Sequence, residues 1–166
     1  LAYLLKLVSA GERTVVYVNS RRQSFSLASE LRLYYPLARD EIGFYHGGLS
    51  SQNRREMEEL FRGGVLKVLV TTSAFGEGID IPDIKNVVLY HLCFSRTEFN
   101  QLAGRAGRNG QDSCVHVLFG EKDRKLNEFI LTGAVPSREV LGRVYLLLRD
   151  KARKENPFEL TNYQIA

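Results

Sequence analysis

Residues 14–18 read Thr-Val-Val-Tyr-Val, a nearly continuous run of β-branched and apolar side chains. Such a run is typical of a parallel strand that is buried on both of its faces. Comparable short strand patterns occur at residues 42–45, 65–70, 86–90 and 114–119. The sequence therefore predicts a sheet whose central strands are covered on both sides.

Helical patterns alternate with these strands. Residues 22–34 carry apolar side chains at mainly helical spacing, and Ser50 is placed to cap a second helix. Ser95 and Glu98 form a capping-box pattern that predicts a third helix running to about Arg108. Repeated strand–helix–strand units predict an α/β fold, an open and mostly parallel sheet with helices on both faces.

The chain of 166 residues changes character beyond Gly120. Only helical patterns follow, at residues 123–131 and 138–153. We therefore expect a sheet domain over residues 1–120 and a helical extension or connector over residues 121–166. The first ten residues are interpreted as the end of a helix and not as a signal peptide.

Composition excludes several classes of protein. With 44% hydrophobic and 25% charged residues, the chain is not a disordered tail, and no apolar run approaches the ~18 residues of a membrane span. Cys93 and Cys114 form no C-x-x-C pair, which argues against a metal site or a disulfide framework and predicts a reducing, cytoplasmic location. The net charge of +4 is weak evidence for nucleic-acid binding.

The segment 101–110 reads Gln-Leu-Ala-Gly-Arg-Ala-Gly-Arg-Asn-Gly. On a continuous helix, Gln101, Arg105 and Arg108 would share one narrow stripe, opposite an apolar face. A helix that tolerates two interior glycines while presenting two arginines suits contact with an anion. The alternative is an exposed basic helix with incidental glycines.

A glycine-rich loop follows the predicted third strand. Gly76 and Gly78 permit a tight turn with exposed N–H groups, and Thr72 and Ser73 add hydroxyl donors. Asp80 is an acceptor suited to ribose hydroxyls. A dinucleotide fingerprint is excluded because its third glycine is missing. An ordinary strand-to-helix turn is the alternative interpretation.

Two further strand ends carry small donors. Ser20 and Arg21 follow the first strand, and His46 and Gly47 follow the second. Ligands of open parallel sheets bind at the carboxyl ends of the strands, so these residues join the candidate site. His46 by itself is more typical of a turn or core histidine.

Together, these four segments resemble motifs of the second RecA-like domain of superfamily-two helicases. Residues 15–21 are similar to motif four, 44–49 to the motif just after it, 72–82 to motif five and 101–110 to motif six. The patterns Ala-Phe-Gly-x-Gly-Ile-Asp and Gln-x-x-Gly-Arg-Ala-Gly-Arg-x-Gly resemble RecQ-type helicases.

The resemblance implies a role for each candidate residue. Arg105 and Arg108 would be arginine fingers that reach the γ-phosphate of ATP, and Gln101 would help to position them. Gly78 and Asp80 would touch the nucleotide. The residues that would hold phosphates of a single nucleic-acid strand, with DNA favoured over RNA, are Ser20, Arg21, Gly47, Thr72 and Ser73.

The chain has no G-x-x-x-x-G-K-[ST] segment, which cradles phosphates in P-loop enzymes. The resemblance therefore implies an ATP hydrolase whose ATP and Mg²⁺ are bound mainly by a partner N-terminal RecA-like domain, so that this chain alone is inactive. Two departures are Glu77, where related motifs often have methionine or arginine, and the missing zinc cysteines after Gly120.

Two other functions remain as alternatives. The first is a non-catalytic module of helicase fold that binds nucleic acid or protein, with fusion to a RecJ-like single-strand exonuclease as one arrangement. The second is a self-contained small-ligand enzyme, for which no nucleophile–base pair is recognisable at a strand end.

Overall fold

The computed structural model describes residues 1–76, 81, 83–133 and 136–154. These residues form five strands and six helices, with a 3₁₀ turn at Pro36–Glu41. In chain order they are α1 (Ala2–Ser9), β1 (Thr14–Tyr17), α2 (Arg21–Tyr34), β2 (Ile42–Tyr45), α3 (Ser51–Arg62), β3 (Val68–Thr71), β4 (Asn86–Leu89), α4 (Arg96–Ala103), β5 (Cys114–Val117), α5 (Glu121–Gly133) and α6 (Arg138–Lys154).

The strands form one sheet in the order β2-β3-β1-β4-β5, and all neighbouring pairs are parallel. β1 lies in the middle, with Val15 opposite Leu69 on one side and Val87 on the other. All residues of β1, β3 and β4 are buried. The parallel α/β sheet predicted from the sequence is confirmed.

Each face of the sheet is covered by its own apolar core. On one face, Val16 and Val88 pack with Leu4 of α1 and Leu31 of α2. On the other face, the core contains side chains of β1, β3, β4, α3 and α4 together with the loop after β3: Tyr17, Phe61, Leu69, Phe75, Val87 and Leu102 are among its members. This second core supports the candidate site from below.

Serine side chains begin three of the helices. Ser20, Ser50 and Ser95 each accept a hydrogen bond from the backbone N–H three residues later, at 3.1 to 3.2 Å. Such N-caps satisfy a donor that the helix itself cannot pair. The predicted caps at Ser50 and Ser95 are confirmed, although the carboxylate of Glu98 accepts from the N–H of Phe94 and not from Ser95.

The third strand begins later than predicted. Residues 65–70 contain enough valine and leucine to predict a strand, but β3 covers Val68–Thr71. The N–H of Leu66 donates to the carbonyl of Leu60 and closes a turn after α3. Residues 65 and 66 therefore belong to this turn, and the strand begins at Val68.

The chain divides into two compact units, Leu1–Arg124 and Lys125–Ala166. In the second unit, α6 carries an ion pair between Arg143 and Glu139 at 2.7 Å. Among the described residues, no helix combines the length and the apolar character needed to cross a bilayer.

Two buried tyrosines lie at the same level of the sheet, because Tyr17 and Tyr45 are both opposite Thr71. The Tyr45 hydroxyl donates to the Glu58 carboxylate at 2.7 Å. Burial, followed by this hydrogen bond and the Glu58 charge, raises the pKa of Tyr45 from 10.0 to about 12. Tyr45 is therefore a neutral donor at ordinary pH.

A raised pKa makes stability depend on pH in the alkaline range. The folded state holds the Tyr45 proton more tightly than the unfolded state, so this stabilisation is complete below pH ~10 and is lost as pH rises towards 12. We expect urea unfolding at pH 9 and pH 11 to show a larger loss of stability for the native protein than for Tyr45→Phe. Equal losses of stability in the native protein and in Tyr45→Phe would contradict the raised pKa of Tyr45.

Candidate functional site

One cleft of about 770 Å³ opens at the carboxyl ends of the strands. This is the edge of a parallel sheet at which ligands bind. The residues that line it come from the start of α2, the turn after β2, the loop after β3, and α4 with its following turn: Arg21, Gly47, Thr72, Ser73, Ala74, Phe75, Glu98, Asn100, Gln101, Leu102, Gly104, Arg105 and Arg108. Segments far apart in sequence thus meet in one cavity.

Most candidate residues predicted from the sequence meet here, but Ser20 does not line the cleft. It is the N-cap of α2, and its hydroxyl oxygen accepts from the N–H of Gln23. The hydroxyl retains its own proton as a donor. Gly78 and Asp80, as well as the departure at Glu77, lie outside the described residues.

The predicted helix through Arg108 is wrong. α4 ends at Ala103, and the N–H of Gly104 closes its last turn on the carbonyl of Asn100 at 2.9 Å. Arg105 and Arg108 therefore do not share a helical stripe with Gln101. They lie in the turns that follow the helix and nevertheless line the same cleft.

The helical hydrogen bonding ends before Gly107, because the backbone N–H groups at positions 105 and 106 donate to carbonyls only three positions earlier. Gly107 then fixes the turn that follows. Gly107 has φ +64°, outside the helical region, and its N–H donates to the carbonyl of Ile84 instead of continuing the helix. A Cβ at this position would lie 2.4 Å from the Ser113 hydroxyl oxygen. The turn is thus fixed against neighbouring segments, which holds Arg105 and Arg108 at one wall of the cleft.

The Arg105 guanidinium lies against the backbone of Gly76 in the loop after β3. A Cβ built on Gly76 would lie 2.8 Å from Arg105 Cζ and 3.0 Å from its Nε. Gly76 has φ +107°, a conformation that side-chain-bearing residues rarely adopt. The glycine provides the space that the guanidinium fills, so the two segments that resemble motifs five and six touch at this point.

Arg21 also lines the cleft, and its guanidinium lies against Gly48. A Cβ on Gly48 would lie 2.9 Å from Arg21 Nη1. The turn between His46 and Gly48 is closed by the Gly48 N–H, which donates to the His46 imidazole at 3.1 Å. His46 is thus a turn residue, and the turn leaves room for the arginine beside Gly47.

The cleft is electropositive. Among the described residues, Arg21, Arg105 and Arg108 line it together with one carboxylate, that of Glu98. The Arg108 Nε donates to the carbonyl of Gly104 at 3.3 Å, where the end of a helix favours a cation. With the hydroxyls of Thr72 and Ser73 as further donors, this set suits phosphate groups.

Sequence reasoning missed several residues of the cleft. The sequence pattern indicates only a capping role for Glu98 and gives no indication of a role for Asn100. Glu98 and Gln101 are three positions apart on α4 and so share one of its faces, which was the available signal. Phe75 and Leu102 join the cleft to the core below it.

Within the described part of the chain, no group of three His, Cys, Asp or Glu side chains could hold a metal ion. The lining residues fit the phosphates of a nucleotide as cations and hydroxyl donors. Among the described lining residues, Glu98 offers the one carboxylate that could bind Mg²⁺.

Comparison with protein families matches residues 1–110 to the helicase conserved C-terminal domain. The chain belongs to this family. The resemblance to the second motor domain of superfamily-two helicases, and to RecQ-type helicases among them, is confirmed by this match and by the curated relatives.

Two Bacillus subtilis (strain 168) proteins are similar to this helicase C-terminal domain. Probable ATP-dependent DNA helicase RecS is 34% identical over 142 residues, which covers 85% of this chain and 28% of RecS. ATP-dependent DNA helicase RecQ is 36% identical over 122 residues, which covers 72% of this chain and 20% of RecQ. The chain therefore spans about a quarter of the length of these relatives.

Among solved structures, the DUF1998 helicase MrfA bound to DNA and AMPPNP is similar, with a TM-score of 0.65 and 26% identity. The match covers 76% of this chain and 19% of the MrfA chain. It supports the RecA-like fold for this helicase C-terminal domain.

Proposed function

We propose that this domain is the second motor domain of an ATP-dependent helicase or translocase that moves along single-stranded nucleic acid. The observation that carries the proposal is the single cleft in which Arg105 and Arg108 meet Arg21, Thr72 and Ser73. A non-catalytic scaffold would have no use for two arginines fixed at one wall of an electropositive cleft.

One wall of the cleft would serve the nucleotide. ATP bound between this domain and an N-terminal RecA-like domain would supply free energy through hydrolysis of its terminal phosphoanhydride bond. Arg105 and Arg108 would neutralise the charge that accumulates on the γ-phosphate oxygens, and Gln101 would help to position them. Gly78 and Asp80 are proposed to touch the nucleotide because they belong to the segment that resembles motif five.

Other residues of the cleft would hold the tracked strand. Arg21 supplies a cation, Thr72 and Ser73 supply hydroxyl donors, and Gly47 permits close approach of the backbone. Ser20 does not line the cleft but caps α2 next to Arg21, and its hydroxyl proton would be a further donor to the strand. Contacts to phosphate position a strand without reading its sequence, as a moving motor requires. A cleft that receives both ligands can couple hydrolysis to grip on the strand.

DNA is proposed as the strand, because the similar RecS and RecQ are named DNA helicases and MrfA was solved with DNA. Mg²⁺ would be bound mainly by the N-terminal domain, since the described lining of this cleft offers one carboxylate beside three arginines. Residues 121–166 are proposed as a connector to a further module, because the family match ends at residue 110.

Strand binding tests this proposal through its salt dependence. Replacing Arg21 by alanine in the full helicase removes one phosphate contact, so the slope of log K against log salt becomes shallower by about 0.7. Affinity falls similarly for oligonucleotides of different sequence, as measured by fluorescence anisotropy. Arg22→Ala is the matched control, because Arg22 is also exposed at the start of α2 but does not line the cleft.

An unchanged slope in Arg21→Ala, or the same change in Arg22→Ala, would contradict the strand assignment. A loss of affinity in Arg21→Ala that differs strongly between oligonucleotide sequences would indicate contacts with bases, and would also contradict the strand assignment.

A further inference from the structure

The Tyr17 hydroxyl is a buried polar group that has no hydrogen-bond partner among the residues that the structure describes. Tyr17 is the last residue of β1 and its exposed fraction is 0%. Its hydroxyl makes no hydrogen bond within the described part of the chain. Burying a hydroxyl without a partner is unfavourable, and native proteins rarely retain such a group without a use for it.

Tyr45 provides an internal comparison. It lies at the same level of the sheet, belongs to the same core as Tyr17, and is 4% exposed. Its hydroxyl is satisfied by Glu58 at 2.7 Å. A tyrosine opposite Thr71 can therefore find a hydrogen-bond partner for its hydroxyl in this fold. Tyr17, on the central strand, has none among the described residues.

Tyr17 lies directly behind the wall of the cleft. It packs in one core with Phe75 and Leu102, and both of these also line the cleft. Gly76 follows Phe75 and is in contact with the Arg105 guanidinium. The tyrosine is thus adjacent to the two segments between which Arg105 is held.

The charges of the site reach this hydroxyl. Burial raises the pKa of Tyr17 to about 12, and the positive charges of Arg105 and then Arg108 oppose that rise. Arg105 has the larger of the two effects. Tyr17 is therefore a neutral hydroxyl close to both arginines, with an oxygen that can accept a hydrogen bond.

We propose that Tyr17 is a positioning residue for Arg105, whose guanidinium donates a hydrogen bond to the buried Tyr17 hydroxyl oxygen when the two motor domains close on nucleotide. This inference rests on the proposed function. Closure would remove the unfavourable state of the hydroxyl, so that nucleotide binding and the orientation of Arg105 support each other. Tyr17 itself touches neither phosphate nor strand.

Tyr17→Phe in the full helicase removes the hydroxyl and leaves the ring in the core. We expect kcat for ATP hydrolysis to fall roughly tenfold with KM changed less than about twofold, as expected for loss of one hydrogen bond to a charged group in the reactive state. Without nucleotide, Tm stays the same or rises, because an unpaired buried hydroxyl has been removed.

A second readout does not depend on turnover. A non-hydrolysable ATP analogue should raise Tm less in Tyr17→Phe than in the native helicase, because the variant has no unfavourable hydroxyl to relieve. Tyr45→Phe is the matched control. It should lower Tm without nucleotide, since it breaks the bond to Glu58, and leave both kcat and the analogue-induced shift unchanged.

The outcomes separate this inference from the proposed function. If Arg105→Ala abolishes ATP hydrolysis, then an unchanged kcat and an unchanged analogue-induced shift in Tm of Tyr17→Phe would overturn the role of Tyr17. If alanine at Arg105 leaves hydrolysis intact, the proposed function itself fails. A lowered Tm in Tyr17→Phe without nucleotide would show that the hydroxyl is already paired, and would also overturn the inference.

Discussion

Replacing Arg108 by alanine in a helicase that contains both motor domains should reduce ATP hydrolysis by about 10³-fold or more. An arginine that neutralises charge on a transferring phosphoryl group contributes a factor of this size. Arg108 is exposed at the cleft, and its side chain is steered by the carbonyl of Gly104, so truncation should leave the core intact. Single-strand affinity without nucleotide should change little. Steady-state hydrolysis and anisotropy measure the two effects.

Arg96→Ala is the control for this experiment. Arg96 is an exposed arginine at the start of α4, and it does not line the cleft. Its loss should leave hydrolysis within about twofold of native, because an isolated surface charge contributes little. Hydrolysis that survives in Arg108→Ala, or that is lost equally in both variants, would refute the assignment of Arg108.

A methyl group at Gly76 should be almost as damaging as the loss of an arginine. The added Cβ would lie 2.8 Å from Arg105 Cζ, so the guanidinium has to move. Displacement of a catalytic group by about 1 Å can reduce turnover about 10²-fold. We expect Gly76→Ala to lose about that much ATP hydrolysis, and the backbone strain at φ +107° to lower stability by ~1–3 kcal/mol.

Gly11→Ala separates the effect of strain from that of the contact. Gly11 also has a positive φ, +68°, but nothing lies within 4 Å of its added Cβ. This variant should lose stability and keep its hydrolysis rate at a temperature where the protein is folded. Native turnover in folded Gly76→Ala would show that Arg105 does not depend on the space above this glycine.

The sequence was sufficient to predict the sheet because local and tertiary preferences agree there. The run at residues 14–18 is β-branched, and the structure buries every residue of β1 between two neighbours. The serine caps at Ser50 and Ser95 depend only on residues within one helical turn, so their pattern is readable locally. Strand Ile42–Tyr45 was predicted with its bounds correct for the same reason.

The geometry of the site could not be predicted from local patterns. The periodicity of residues 101–108 favours a helix, but α4 stops at Ala103, and the turns after it are held by the bond from Gly107 to Ile84, more than twenty positions earlier in the chain. Arg105 packing on Gly76 and the unpaired hydroxyl of Tyr17 also depend on contacts between distant segments. Sequence therefore identified which residues converge, and only the structure shows how they are held.

The position of β1 has a consequence for how the chain acquires its fold during synthesis. Of the five strands described, β1 is translated first and lies at the centre of the sheet, and Thr14 pairs with Val68 and Asn86, which are translated more than fifty and seventy residues later. Until β3 and β4 have been synthesised, the apolar side chains of β1 are not buried by neighbouring strands. Closing such long loops is also slow. Nascent chains that end before Asn86 should therefore be substrates for chaperones, whereas chains that have passed β4 can complete the centre of the sheet.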